Sequence, residues 1–268
     1  METIARGDKP KTLQTIAYIS IPESADLEFL LWDLQDAIAA YAQLSGTVLP
    51  RPVDLKANDT NAAADGIVLA VENVPDDESM SVAQRALDRF GDTETRVYVV
   101  VQADCGHTEE AHLFIECLRQ ACKLRKLTWC GGVVVCADSG IAALRHSPRM
   151  GLLRRPFSEA MDKLVGAVRM GCSIEHAQLL GGGNAGSVDA DGMVRARPAM
   201  PALIWRAIIK RLGAHAQSNN SITVQPSQRL RANVQQDAPG AMTRLFKEKH
   251  TQSLLHKAMV ERTFPLKI

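Results

Sequence analysis

Hydrophobic positions along this chain follow two alternating rhythms. Short continuous β-branched runs, apolar on both faces, have the pattern of strands buried inside a parallel sheet, and stretches with an apolar residue every three or four positions have the pattern of helices with one buried face. The strand-type runs cover 13–19, 65–71, 97–101 and 127–136, and a further run from Thr47 to Leu55 is interrupted by Pro50 and Pro52. Proline cannot donate a ladder hydrogen bond, so that run belongs at a sheet edge. Helical spacing links Leu27, Leu30, Leu31, Leu34, Ala37, Ile38 and Tyr41, ending at Gly46, and recurs through Met80, Ala83, Leu87 and Phe90. A third helix, with Thr108 as a cap and Glu109 and Glu110 in its first turn, carries Phe114, Leu118, Ala121 and Cys122. A fourth starts near Pro156 and buries Phe157, Ala160, Met161, Leu164, Val165 and Val168.

Strands alternating with helices predict an α/β domain built on a doubly wound, five-stranded parallel sheet. In one common version the spatial order is 2-1-3-4-5, which places the proline-bearing second strand at an edge. Ligands of such sheets bind beyond the carboxyl ends of the strands, here the loops 20–26, 72–79, 102–108 and 137–155. Past Cys172 the pattern changes. The glycine-rich Leu180 to Ser187 lacks the Gly-Lys-Ser/Thr ending of a phosphate-binding loop and reads as a connector. A short helix follows from Pro201 to Leu212, then a polar stretch from Gln217 to Gly240. A helix-like tail from Met242 to Thr263 carries a surplus of basic residues. It either packs on its own or a sister subunit, as a homodimer, or docks on a partner or membrane surface. The predicted division is a domain over 1–213 and a linker with a C-terminal helical tail over 214–268.

Composition narrows the function classes. A hydrophobic share of 46% in 268 residues supports one ordinary core, and a net charge of +1 supplies no general field for nucleic acid. No signal-type apolar region opens the chain and no apolar run reaches about 18 residues, so the expectation is a soluble, cytoplasmic protein with no membrane span. Six cysteines lie mostly inside predicted helices and strands, which suits reduced core thiols rather than disulfides. Cys105, His107, His112 and Cys117 lack paired metal-ligand spacing, and a Cys105–His107 nucleophilic pair lacks an orienting third group.

Ala64 to Ala70 leading to Met80 to Phe90, Val97 to Gly106, and Leu127 to Gly132 together resemble the flavodoxin-like NAD(P)H-dependent FMN reductase and quinone reductase family, over roughly residues 12–213. The resemblance implies FMN at the strand ends, NAD(P)H as co-substrate and a quinone or other small electron acceptor. It places the FMN phosphate in the first loop, at Ser20, Glu23 and Ser24, and the flavin ring against Asn73, Val74 and Pro75. The pyrimidine edge then meets Asp104, Cys105, Gly106 and His107, where His107 either stacks on the ring or is an idle loop residue. Two features depart from the family pattern. Glu23 and Asp26 bring acids into the phosphate loop, where a carboxylate about 4 Å from a phosphate charge costs about 1 kcal/mol in water and about 4 kcal/mol at an effective dielectric of 20. Asp26 is either part of a modified phosphate loop or the N-cap of a helix beginning at Leu27. Asp76, Asp77 and Glu78 likewise crowd the second loop. Arg145, His146, Arg149, Arg154 and Arg155 either pair with NAD(P)H phosphates or are solvated. The alternative to an oxidoreductase is a flavin-free module of the same fold with an interaction or regulatory role.

Overall fold

A computed structural model describes residues 10–53, 63–72, 77–90, 94–104, 108–182 and 185–222. The strands are β1 (Thr15–Ile21), β2 (Arg51–Val53), β3 (Gly66–Glu72), β4 (Arg96–Ala103), β5 (Thr128–Cys136) and β6 (Met193–Ala196). The helices are α1 (Ala25–Ser45), α2 (Asp77–Asp88), α3 (Thr108–Leu124), α4 (Arg155–Met170), α5 (Ile174–Leu180) and α6 (Ala202–Ile222). All strand pairs are parallel, in the order β2-β1-β3-β4-β5-β6. The expected five-stranded sheet is therefore six-stranded: the order 2-1-3-4-5 holds and β6 extends it beyond β5. β2 lies at the edge, with Pro52 inside it.

The sheet is covered on both faces, which is why β4 is buried along its whole length and β3 up to its last residue, with mostly apolar side chains. Val68, Ala70, Tyr98, Val100, Val133 and Val135 meet α1, α4, α5 and α6 through residues such as Leu30, Leu34, Met161, Leu164, Ile174 and Trp205. Their neighbours in sequence, Ile67, Leu69, Val97, Val99, Val101 and Val134, meet Ala83 and Leu87 of α2, Phe90 just after it, and Ile115, Leu118 and Cys122 of α3. The period-2 alternation of each strand thus feeds two separate cores. The Tyr98 hydroxyl, buried among apolar neighbours, donates to the carbonyls of Ala167 and Cys172, both at 3.3 Å, and so locks the end of α4 to the central strand. Gly46 and Gly171 close α1 and α4 in the left-handed conformation, each returning its N–H to the last turn.

The second half of β5 depends on a close approach. Gly131 has φ +83, and a Cβ there would run into the carbonyl of Gly192, at the entry to β6. The register between β4 and β5 shifts between Val97 and Val99 at the same level. No helix among the described residues is long and apolar enough to cross a membrane. The chain divides into two units, Met1–His215 and Ala216–Ile268. The tail from Met242 to Thr263 lies outside the described residues.

Candidate functional site

At the carboxyl end of β1 the chain passes through half-buried Ser20 and a cis Ile21–Pro22 peptide to exposed Glu23 and then α1. Ser24 is the N-cap of α1: its backbone is extended, with φ −138 and ψ 151, and its hydroxyl accepts the Leu27 N–H at 3.3 Å. The reading of Asp26 as N-cap of a helix from Leu27 is thereby corrected. The helix starts earlier, at Ala25, and the serine before it, not the aspartate, takes the orphan donor.

Asp26 has a different task. Its carboxylate is buried and turned across the sheet end, where Oδ2 accepts the Gly140 N–H at 2.6 Å and the Gln102 Nε2 amide at 3.1 Å. Oδ1 accepts the Ala142 N–H at 2.8 Å. Gly140 caps the 3-10 helix Ile141–His146 and has no side chain with which to do so. Asp26 supplies the missing acceptor from 114 residues away, joining the first turn of α1 to the loop after β5. Its charge is held by three donors and lies at a helix N-terminus, where a negative group is favoured. Gln102, in register with Glu72 and Val135 at the end of β4, is fixed by that contact, because a flipped amide would set its oxygen against Asp26. Its Oε1 is buried without a partner.

The basic residues after β5 are largely committed to the protein itself. Arg154, buried with Asp33, donates Nη2 to Asp33 Oδ1 and Nη1 to the Ser147 carbonyl at 2.9 Å, and lies 5.0 Å from the Phe29 ring centroid. Arg149 bridges Asp33 and Asp162, the latter at 2.8 Å. Burial pushes the Asp162 carboxyl above its ordinary range, with Arg149 pulling it back. Arg145 stacks over Trp32 at 5.0 Å and Arg155 pairs with Glu159 at 2.7 Å. Arg149 and Arg154 therefore do not stand free for NAD(P)H phosphates, and of the named basic group only His146 has no pairing among the described residues.

Of the expected cofactor contacts, Ser20 lies near the end of β1 and not in the loop, Glu23 and Ser24 lie in the loop that follows, and Asp104 is exposed just past β4. Asn73, Val74, Pro75, Cys105, Gly106 and His107 lie outside the described residues. His112 Nδ1 contacts Asp191 Oδ2 at 3.2 Å, and Cys117 is exposed on α3, whereas Cys122, Cys130, Cys136 and Cys172 are buried. Sequence reasoning missed Gln102, Gly140 and Ala142. One signal was present: Gln102 is a polar residue directly after the apolar run 97–101 of its strand. No family model matches the chain, and no curated protein is found to be similar to it.

Proposed function

We propose that the protein is a flavodoxin-like, FMN-dependent oxidoreductase that takes hydride from NAD(P)H and delivers electrons to a quinone or other small acceptor. The observation that carries this reading is the strand order. β1, β3 and β4 are adjacent and parallel, so their carboxyl ends lie side by side at one end of the sheet, and the chain changes winding direction at β1. FMN, when bound, supplies the electron-transfer chemistry. The first loop suits its phosphate better than the acid count suggests. Asp26 is drawn away into Gly140, Ala142 and Gln102, and the N–H groups of Ala25 and Asp26 have no intrahelical acceptor, as in any first turn. Ser20 and Ser24 add hydroxyls beside them. Glu23 is exposed, where water screens its charge. The chain's own residues orient and hold; no side chain here is asked to move a proton.

The test is direct. Purified protein mixed with micromolar FMN and desalted should remain yellow, and Ser24→Asp should release the flavin without lowering the melting temperature. Aspartate caps a helix as well as serine does, yet sets a charge against the phosphate, a cost of about 1 to 4 kcal/mol. A colourless protein after desalting removes the oxidoreductase reading.

A second reading, a flavin-free interaction or regulatory module of the same fold, is favoured by one observation. Asp26, Arg149 and Arg154 are each already partnered within the protein, Asp26 by Gly140, Ala142 and Gln102 and the two arginines by Asp33, as in a scaffold without a ligand. It is the reading left standing if no flavin is retained.

A further inference from the structure

A second site lies away from the strand-end loops, along α3. His112, Glu116, Arg119, Gln120 and Lys123 recur at helical spacing and share one side of that helix. Beside the last of them opens a groove of about 320 Å³ lined by Arg119, Gln120, Lys123, Leu127 and Trp129, a size that suits a small ligand. The local fold explains why an indole lies there. Leu127 returns its N–H to Cys122 after the turn at Lys126, where φ is 57, and brings β5 in directly under the end of α3. Gly131 and Gly192 let the entry to β6 come close, and the Trp129 Nε1–H is donated to the Asp191 carbonyl at 3.2 Å. Its polar edge is satisfied and its ring stays half-exposed.

Charge in the groove is unevenly settled. Glu116 accepts from Gln120 Nε2 at 2.8 Å and pairs with Arg119 Nη2 at 2.9 Å, so the guanidinium is neutralised within its own helix. Lys123 has no carboxylate partner among the described residues. An apolar floor of Leu127 and Trp129 beside one uncompensated ammonium is complementary to a molecule with a flat hydrocarbon body and a single negative charge. A dianion would find only one net positive charge to meet it, and a neutral ring would leave Lys123 unused. We propose that this groove is a binding site for a small aromatic monocarboxylate, separate from the site at the strand ends.

The experiment is equilibrium dialysis of the full-length protein against 2-naphthoate, with and without saturating FMN. One saturable site is expected, unaffected by FMN, with the neutral 2-naphthamide bound about fivefold more weakly, the loss of roughly one exposed ion pair. Lys123→Gln should weaken naphthoate about fivefold and leave naphthamide unchanged, while Leu113→Gln, an exposed position on α3 outside the groove, should alter neither. Inorganic phosphate should not compete. The proposal is overturned by non-saturable binding, by displacement with FMN, by competition from phosphate, or by a Lys123→Gln variant of unchanged melting temperature that binds naphthoate as the parent does.

Discussion

Asp33 is the point at which the loop after β5 is most exposed to a single change. It lies on α1, and both its side chain and that of Arg154 are nearly sealed from water, at 4% and 5% exposure. Asp33→Asn keeps the shape and removes only the charge. Arg154 would then keep the Ser147 carbonyl, the weaker Arg145 carbonyl at 3.3 Å and the Phe29 ring, but no carboxylate. Arg149 is less affected, since it is partly exposed and still holds Asp162. Breaking one side of a buried ion pair costs about 3 to 5 kcal/mol, because the remaining charge stays desolvated. That is a large part of the roughly 5 to 15 kcal/mol by which a domain of ordinary size is stable. Urea unfolding should show it as a lower midpoint with unchanged slope. Replacing both partners, Asp33→Asn with Arg154→Met, should recover about half of the loss or more, since no buried charge remains unpaired. The loss should also persist at high salt, unlike any effect of removing the exposed Arg155–Glu159 pair. A single-variant loss under about 1 kcal/mol, or a double variant whose loss equals the sum of its parts, would refute the reasoning.

Three further outcomes follow from the same geometry. Asp26→Ala leaves the N–H groups of Gly140 and Ala142 and the Gln102 amide without their acceptor, and should cost about 1 to 3 kcal/mol, with amide exchange accelerating first over 140–146. Gly131→Ala should destabilise well beyond the roughly 1 to 2 kcal/mol of a left-handed non-glycine residue, because its Cβ meets the Gly192 carbonyl. Gly46→Ala, with φ +65 and open space around it, should stay within that range, and thermal unfolding of the two variants measures the difference. Burial pushes the Cys122 thiol from an ordinary 9.0 up to about 12. The native state thus holds a proton that the unfolded chain gives up. The stability this provides is complete below about pH 9 and falls by about 1.4 kcal/mol per unit as pH rises toward 12. Parallel pH profiles of the protein and Cys122→Ala in urea between pH 8 and 11 would contradict it.

Why the sheet was legible and the polar ties were not comes down to the range of the signal. β3, β4 and β5 are written in consecutive residues, and Pro52 marks an edge by what it cannot do locally. β6 escaped because four residues, one of them Arg195, give no alternation to detect, and its strand character comes from pairing with Gly132 to Val135. α5, at seven residues, is too short to show a helical period. α6 was expected to stop at Leu212 but runs to Ile222, because its continuation carries no apolar stripe and Gly213 reads locally as an end. The site differs in kind. Ser20, Glu23 and Ser24 are neighbours in sequence, so their nearness can be read there, but the meaning of Asp26 depends on Gly140 and Ala142, more than a hundred residues on. A carboxylate read within its own loop repels a phosphate. The same carboxylate, taken up by a helix end contributed by a distant loop, leaves the first turn of α1 free of that repulsion. Replacing it therefore acts on ligand binding and on the fold in opposite senses: Asp26→Asn keeps an acceptor for one N–H, weakens the tie to the loop after β5, and should leave any anion affinity of the first loop intact or higher.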